Sequence, residues 1–188
     1  MSDVISVVVS VLALFVSVIT AWLTLLRKGT VRMTQPTVVY FGPDAGGKGN
    51  PKVFFRSLLY STSKRGQVVE SIFVKLKRGE TSQTFNIWVY GEHSLSRGSG
   101  VYVGPEGLVC NHHFLLPEDG TQFQFLPGTY LMEIYVSLVG HKGTLLLETL
   151  ELVLAEQHAT ILKDNDAGIY FDWGPDAKKY HAHSREDS

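Results

Sequence analysis

The residues best suited to chemistry are histidines, and their spacing argues against each obvious use. Seven occur, among them the adjacent pair His112-His113 and the doublet His181-Ala182-His183. A zinc centre wants three or four ligands held at motif spacing. Neighbours on a strand point to opposite faces, so His112 and His113 do not both reach one ion from regular backbone. His181 and His183 share a face if extended, but they fall in a polar stretch, residues 164–188, that reads as a mobile tail. Surface or turn positions are therefore expected for the histidines. The carboxylates Glu148, Glu151, Glu156, Asp164, Asp166, Asp172 and Asp176 offer no spacing that pairs two for acid–base work. A single cysteine, Cys110, excludes an internal disulfide and a thiolate metal cluster built from this chain alone. The glycine-rich run from Gly42 to Gly49 carries Lys48, but its composition suits a hairpin tip better than a phosphate cradle. No catalytic residue, metal or cofactor is expected.

The run Gly98-Ser99-Gly100-Val101-Tyr102-Val103-Gly104-Pro105-Glu106-Gly107-Leu108-Val109-Cys110-Asn111-His112-His113 resembles the phrase around the catalytic histidine of trypsin-like serine proteases of the bacterial quality-control type. By that resemblance His113 stands where the base stands. The base needs a serine to deprotonate and donors for the oxyanion. No Gly-x-Ser-Gly-Gly follows, and the nearest downstream serine, Ser137, lies mid-strand. The phrase reads instead as a hairpin, strand–turn–strand around Gly104–Gly107.

The element that must position everything else is the first one. From Val4 to Leu26 no residue is charged, enough for one membrane-spanning helix at ~20 apolar residues per crossing. Arg27, Lys28 and Arg32 follow directly, against only Asp3 before the span. Cations flanking a span stay in the cytoplasm, which orients the N-terminus outside and the following domain inside a bacterial inner membrane. The same three cations suit lipid headgroups. A cleaved signal peptide would carry its cations before the apolar run and a small-residue site after it, and this one does neither. Inside the span Ser6, Ser10, Ala13, Ser17, Thr20 and Thr24 recur at steps of four and three residues. Such a stripe keeps to one face and suits close helix–helix approach in lipid, with the same chain or another membrane protein. Hydroxyls bonding back to their own helix would produce the same pattern.

Beyond a juxtamembrane linker at 27–35, residues 36–163 are the right size for one core. The formal charge of −1 sets up no field for nucleic acid. Alternation is the period-2 signature of half-buried strands. It holds at Tyr130, Met132, Ile134, Val136 and Leu138, and at Val68, Ile72, Val74 and Leu76. In Thr84–Tyr90 it places Phe85, Ile87 and Val89 inward. That leaves Trp88 and Tyr90 on the other face, as a candidate binding surface. Residues 144–157 are rich in Leu and Glu and fit either element; a strand is preferred because Gly143 closes a hairpin. As a strand, that segment needs a bulge or an edge position to accommodate Glu148.

The phrase Leu126-Pro127-Gly128-Thr129-Tyr130 resembles the turn into the penultimate strand of immunoglobulin- and fibronectin-like sandwiches. The reading is a mainly β protein, an antiparallel sandwich of that type behind one transmembrane helix, with a small barrel as the alternative. The expected role is a non-catalytic, single-pass binding module within a membrane-associated complex. Its partners would be lipid and a protein or a second copy of the chain. The alternative is an effector of the bacterial defence type that senses a small ligand, such as a nucleotide, and disrupts the membrane through assembled helices.

Overall fold

The computed structural model describes residues 2–26, 29–44, 50–91, 96–97, 100–117, 119, 122–163 and 168–184. Helix α1, Ser2–Ala21, continues into a single π-helical turn, Trp22–Leu26. Its many valines are indifferent helix formers in water, but in lipid only a helix satisfies the backbone of a lone segment. The stretch Ser2–Thr24 has a mean hydropathy of 2.7 and buries nothing against the rest of the protein. Among the described residues it is the one helix long and apolar enough to cross a membrane.

The remainder is almost all strand. In chain order these are β1 (Val31–Met33), β2 (Val38–Pro43), β3 (Pro51–Ser61), β4 (Gln67–Arg78), β5 (Thr81–Phe85), β6 (Ile87–Gly91) and β7 (Ser96–Arg97). They are followed by β8 (Val101–Val103), β9 (Leu108–Leu115), β10 (Gly128–Leu138), β11 (Thr144–Leu154), β12 (Ile169–Gly174) and β13 (Lys179–Ser184). A short helix α2, Glu156–Lys163, separates the last two from β11. The first sheet runs β13-β12-β2-β3-β9-β6-β7 with β1 beside β3; the second runs β11-β10-β4-β5 with β8 beside β4. Every pairing is antiparallel. The two sheets make a sandwich-like arrangement.

Alternation along the long strands builds the core between them. Tyr130, Met132, Ile134, Val136 and Leu138 of β10 are all buried, facing Val53, Phe55 and Leu59 from β3's inner side. One end is plugged by rings: Phe125 stacks on Phe41 at 4.7 Å, and Phe123 meets Phe125 edge-on at 5.0 Å. Each fully buried Phe contributes roughly 1.5–3 kcal/mol by leaving water.

Four expectations change here. Of the stretch 164–188 expected as a free tail, residues 169–184 are not one, because β12 and β13 extend the first sheet and bury Ile169, Phe171 and Tyr180; 164–167 and 185–188 lie outside the described residues. The domain therefore runs past 163. It also starts earlier than 36, since β1 buries Val31 and Met33 within the span assigned to a linker. The Gly104–Gly107 turn is not a hairpin: β8 pairs with β4 in the second sheet and β9 with β3 in the first, so the turn crosses between layers. Finally, Val68 is exposed and Val69 buried, because the register slips near Glu70 and inverts the alternation. Residues 144–157 divide: Thr144–Leu154 is an edge strand bulged between Leu146 and Glu148, and the helix begins at Glu156.

Candidate functional site

Trp88 and Tyr90 do not form an outward face. The stretch 84–90 is two strands in different sheets, broken at Asn86. The break inverts the alternation, so Phe85 faces inward from β5 and Trp88 faces inward from β6. Trp88 is 5% exposed and donates its indole N–H to Nδ1 of His112 at 3.2 Å. Tyr90 stacks on Trp88 at 4.4 Å and donates its hydroxyl to the Gly100 carbonyl at 3.0 Å. These residues serve the core.

His112 is likewise not at the surface. Directly opposite Phe55 on β3, it is fully buried, and burial together with the charge of His113 pushes its pKa down to about 3. Accepting the Trp88 N–H at Nδ1 leaves the ring proton on Nε2, which has no hydrogen-bond partner among the described residues. Ser57 Oγ on β3 is in the same position. A buried polar atom left so costs roughly 1–3 kcal/mol. A histidine that stays neutral out of reach of solvent is a poor proton shuttle. His113 faces out, against Phe54 at 4.8 Å, and burial and the Lys52 charge lower its pKa to about 4. Among the described residues no three His, Cys, Asp or Glu side chains gather as a metal site.

What alternation conceals is the outer face of the first sheet. Strand register places His183, Tyr170, Tyr40, Phe54, His113, Val89 and Arg97 side by side, one per strand across the whole sheet. Tyr40 and Tyr170 are 5.0 Å apart between ring centres, and Tyr170 and His183 are 5.9 Å apart. Lys52 lies 5.7 Å from the Tyr40 ring and pairs with Asp44 at 3.1 Å. His183 meets Asp172 at 3.5 Å. The row combines flat rings with both signs of charge, which suits recognition of another surface more than catalysis. The signal was present in Val-Val-Tyr-Phe and Val-Phe-Phe, where aromatics occupy both parities of one strand.

Cations of the second sheet are engaged locally. Lys77 pairs with Glu133 at 2.6 Å, and Lys75 lies 6.0 Å from the Tyr135 ring, which stacks on Phe73. The hydrogen bond from Lys77 lowers the Glu133 pKa. A cleft of about 410 Å³ opens between β11 and β13, with Trp173, Tyr180 and Glu151 on its walls.

In α1 and the turn that follows it, Ser10 donates to the Ser6 carbonyl at 2.8 Å, Ser17 to Ala13 at 2.8 Å and Thr24 to Thr20 at 2.7 Å. Their protons are satisfied within the helix, so a seam there would rest on small size. At 100° per residue, Ser6 to Thr24 stay within roughly 40° of one line. Arg32 is exposed on β1, opposite Tyr60; Arg27 and Lys28 lie outside the described residues. No family model, curated protein or solved structure matches this chain.

Proposed function

We propose that this chain is a single-pass membrane protein displaying a non-catalytic β-sandwich that binds another protein. The carrying observation is the aromatic row across the outer face of the first sheet, rigid because each member stands on a paired strand. Rings held this way lose little side-chain entropy on binding and are the usual anchors of interfaces. The cations Arg27, Lys28 and Arg32 support an N-terminus outside and a cytoplasmic domain at a bacterial inner membrane. An immunoglobulin- or fibronectin-like class is supported by Tyr130. Its hydroxyl donates to the Leu126 carbonyl at 2.7 Å and accepts the Leu126 N–H at 2.8 Å, as in the tyrosine corner of such sandwiches. Helix pairing through the small-residue stripe of α1 would make the unit a homo-oligomer.

A photo-crosslinking amino acid at Phe54 or Tyr170 of the full chain, in cells, tests the surface. Discrete adducts that vanish with Tyr40→Ala are expected, with none from Ser82 on β5. Silence at both row positions would refute the proposal. A second reading, ligand sensing coupled to membrane disruption, is favoured by Lys52 held beside the Tyr40 ring, an arrangement that suits a flat anionic ligand. Increased membrane conductance on expression would select it.

A further inference from the structure

We propose that the end of the sandwich beside the anchor docks on the headgroup layer of anionic phospholipid, through Tyr102, Val68 and Val139 flanked by Lys64, Arg65 and Lys142. The inference rests on reading α1 as a membrane span. The apolar helix ends at Leu26, and the chain is already fastened to the domain at Gly29, whose carbonyl accepts a bond from Gln67 at 3.1 Å. Thr30 and Thr62 then bond reciprocally, at 2.9 and 3.0 Å. Three residue steps reach no more than ~11 Å. The headgroup layer on one side of a bilayer is itself ~5–7 Å deep. Whatever surrounds Gly29 on the domain therefore lies in or against that layer.

The side chains there are those an interface selects. Tyr102, Val68 and Val139 are 56%, 41% and 58% exposed, although each is large and apolar. They border a groove of about 260 Å³ between the Arg65–Gly66 turn and the Val139–His141 turn. Tyr102 is held in place: its hydroxyl donates to the Arg65 carbonyl at 3.1 Å, and its ring lies over Gly66, where any Cβ would collide with it. A tyrosine presenting an exposed ring beside cations matches the aromatic belt of membrane interfaces. Lys64, Arg65, His141 and Lys142 are exposed at this end, against Glu70 and Glu106. With Arg32, exposed on β1, the balance of these described charges is positive, complementary to anionic lipid.

The test uses the full chain in vesicles of phosphatidylcholine alone and of phosphatidylcholine with phosphatidylglycerol. A polarity-sensitive dye is placed at Val139→Cys and, as a distant control, at Ser82→Cys near the other end of β4. Buried Cys110 does not compete for the label. In phosphatidylglycerol vesicles the dye at 139 should shift to the blue and be quenched by brominated lipid, while the dye at 82 stays open to aqueous iodide. Replacing Arg65 and Lys142 by Gln should lower the docked-to-free ratio roughly five-fold per cation. Protein that floats with vesicles but leaves position 139 open to iodide overturns this inference and leaves the anchor intact. Protein that fails to float overturns both. Protection at 139 that needs high protein density rather than phosphatidylglycerol would assign the surface to a second copy of the chain, and also overturns it.

Discussion

Trp88 carries two separable contributions, a buried ring and a hydrogen bond to His112. Trp88→Ala should cost about 3–5 kcal/mol, the range for truncating a core aromatic. Trp88→Phe keeps most of the ring but strips His112 Nδ1 of its donor, for about 1–3 kcal/mol. Urea unfolding of the full chain in detergent separates the two, and an Ala variant as stable as the parent would return Trp88 to the surface. The histidines make a second prediction. Burial holds the His112 pKa down to about 3 and the His113 pKa down to about 4 in the folded protein, against an ordinary 6.5. The unfolded chain therefore binds more protons between those values, and stability falls as pH drops. This contribution is complete above about pH 6.5 and is lost on the way toward pH 3, at up to ~1.4 kcal/mol per pH unit per histidine. His113→Phe should flatten the slope between about pH 6 and pH 4 by one histidine's share. An unchanged slope would mean that His113 is freely hydrated in the folded protein.

Where a strand carries no bulge of its own, its alternation is legible even though its neighbours slip in register against it. The alternation of β10 is read directly, because both neighbours pair with it over most of its length. The edge position and the bulge that Glu148 demanded in residues 144–157 are both present. Failures occur where the chain changes partner. Asn86 passes the chain from the second sheet to the first, and Gly104–Gly107 makes the same passage again from β8 to β9, with nothing in local propensity to distinguish these crossings from a continuous strand or a tight hairpin. Residues 169–184 looked too polar for a core because only Ile169, Phe171 and Tyr180 are buried in it, with Trp173 and Ala182 packed partly against it, while alternate positions carry Tyr170, Asp172, His181 and His183. The aromatics on both parities of β2 and β3 were legible, but their assembly into one row was not, because its members come from strands far apart in sequence. Truncating the chain after Gly168 tests the importance of the last hairpin. Losing three large buried side chains at roughly 1.5–3 kcal/mol each approaches the whole stability of a typical domain. Circular dichroism should show no cooperative melt of the truncated sandwich; a sharp transition would make the hairpin an accessory.

For the molecule as a whole, only three residue steps separate Leu26, where the apolar helix ends, from Gly29, where the sandwich takes hold of the chain. Gly29 packs so closely on Ser63 that an added Cβ would stand 2.6 Å from its backbone nitrogen, so a side chain there would force the joint open. Serine and threonine hydroxyls along α1 donate to their own backbone, leaving a smooth, small-residue ridge. A lysine can be spotted in sequence, but the packing of Gly29 on Ser63, the neighbour of Lys64, appears only with the fold.

Strand β2 lies between β3, its close neighbour in sequence, and β12, which follows some 125 residues later. On the proposed reading of α1 as a membrane anchor, that segment would enter the bilayer during synthesis while one flank of β2 still has hydrogen-bonding groups and no mate. Tethered beside sister chains at the same stage, that bare flank is a template for pairing between molecules. Speed of translation becomes a variable in the yield of correctly made protein. Slowing ribosomes with rare codons between 43 and 168 should raise the share of chains trapped as swapped or aggregated species, read by crosslinking in membranes. An unaffected yield would show that the early strands wait harmlessly for their mate.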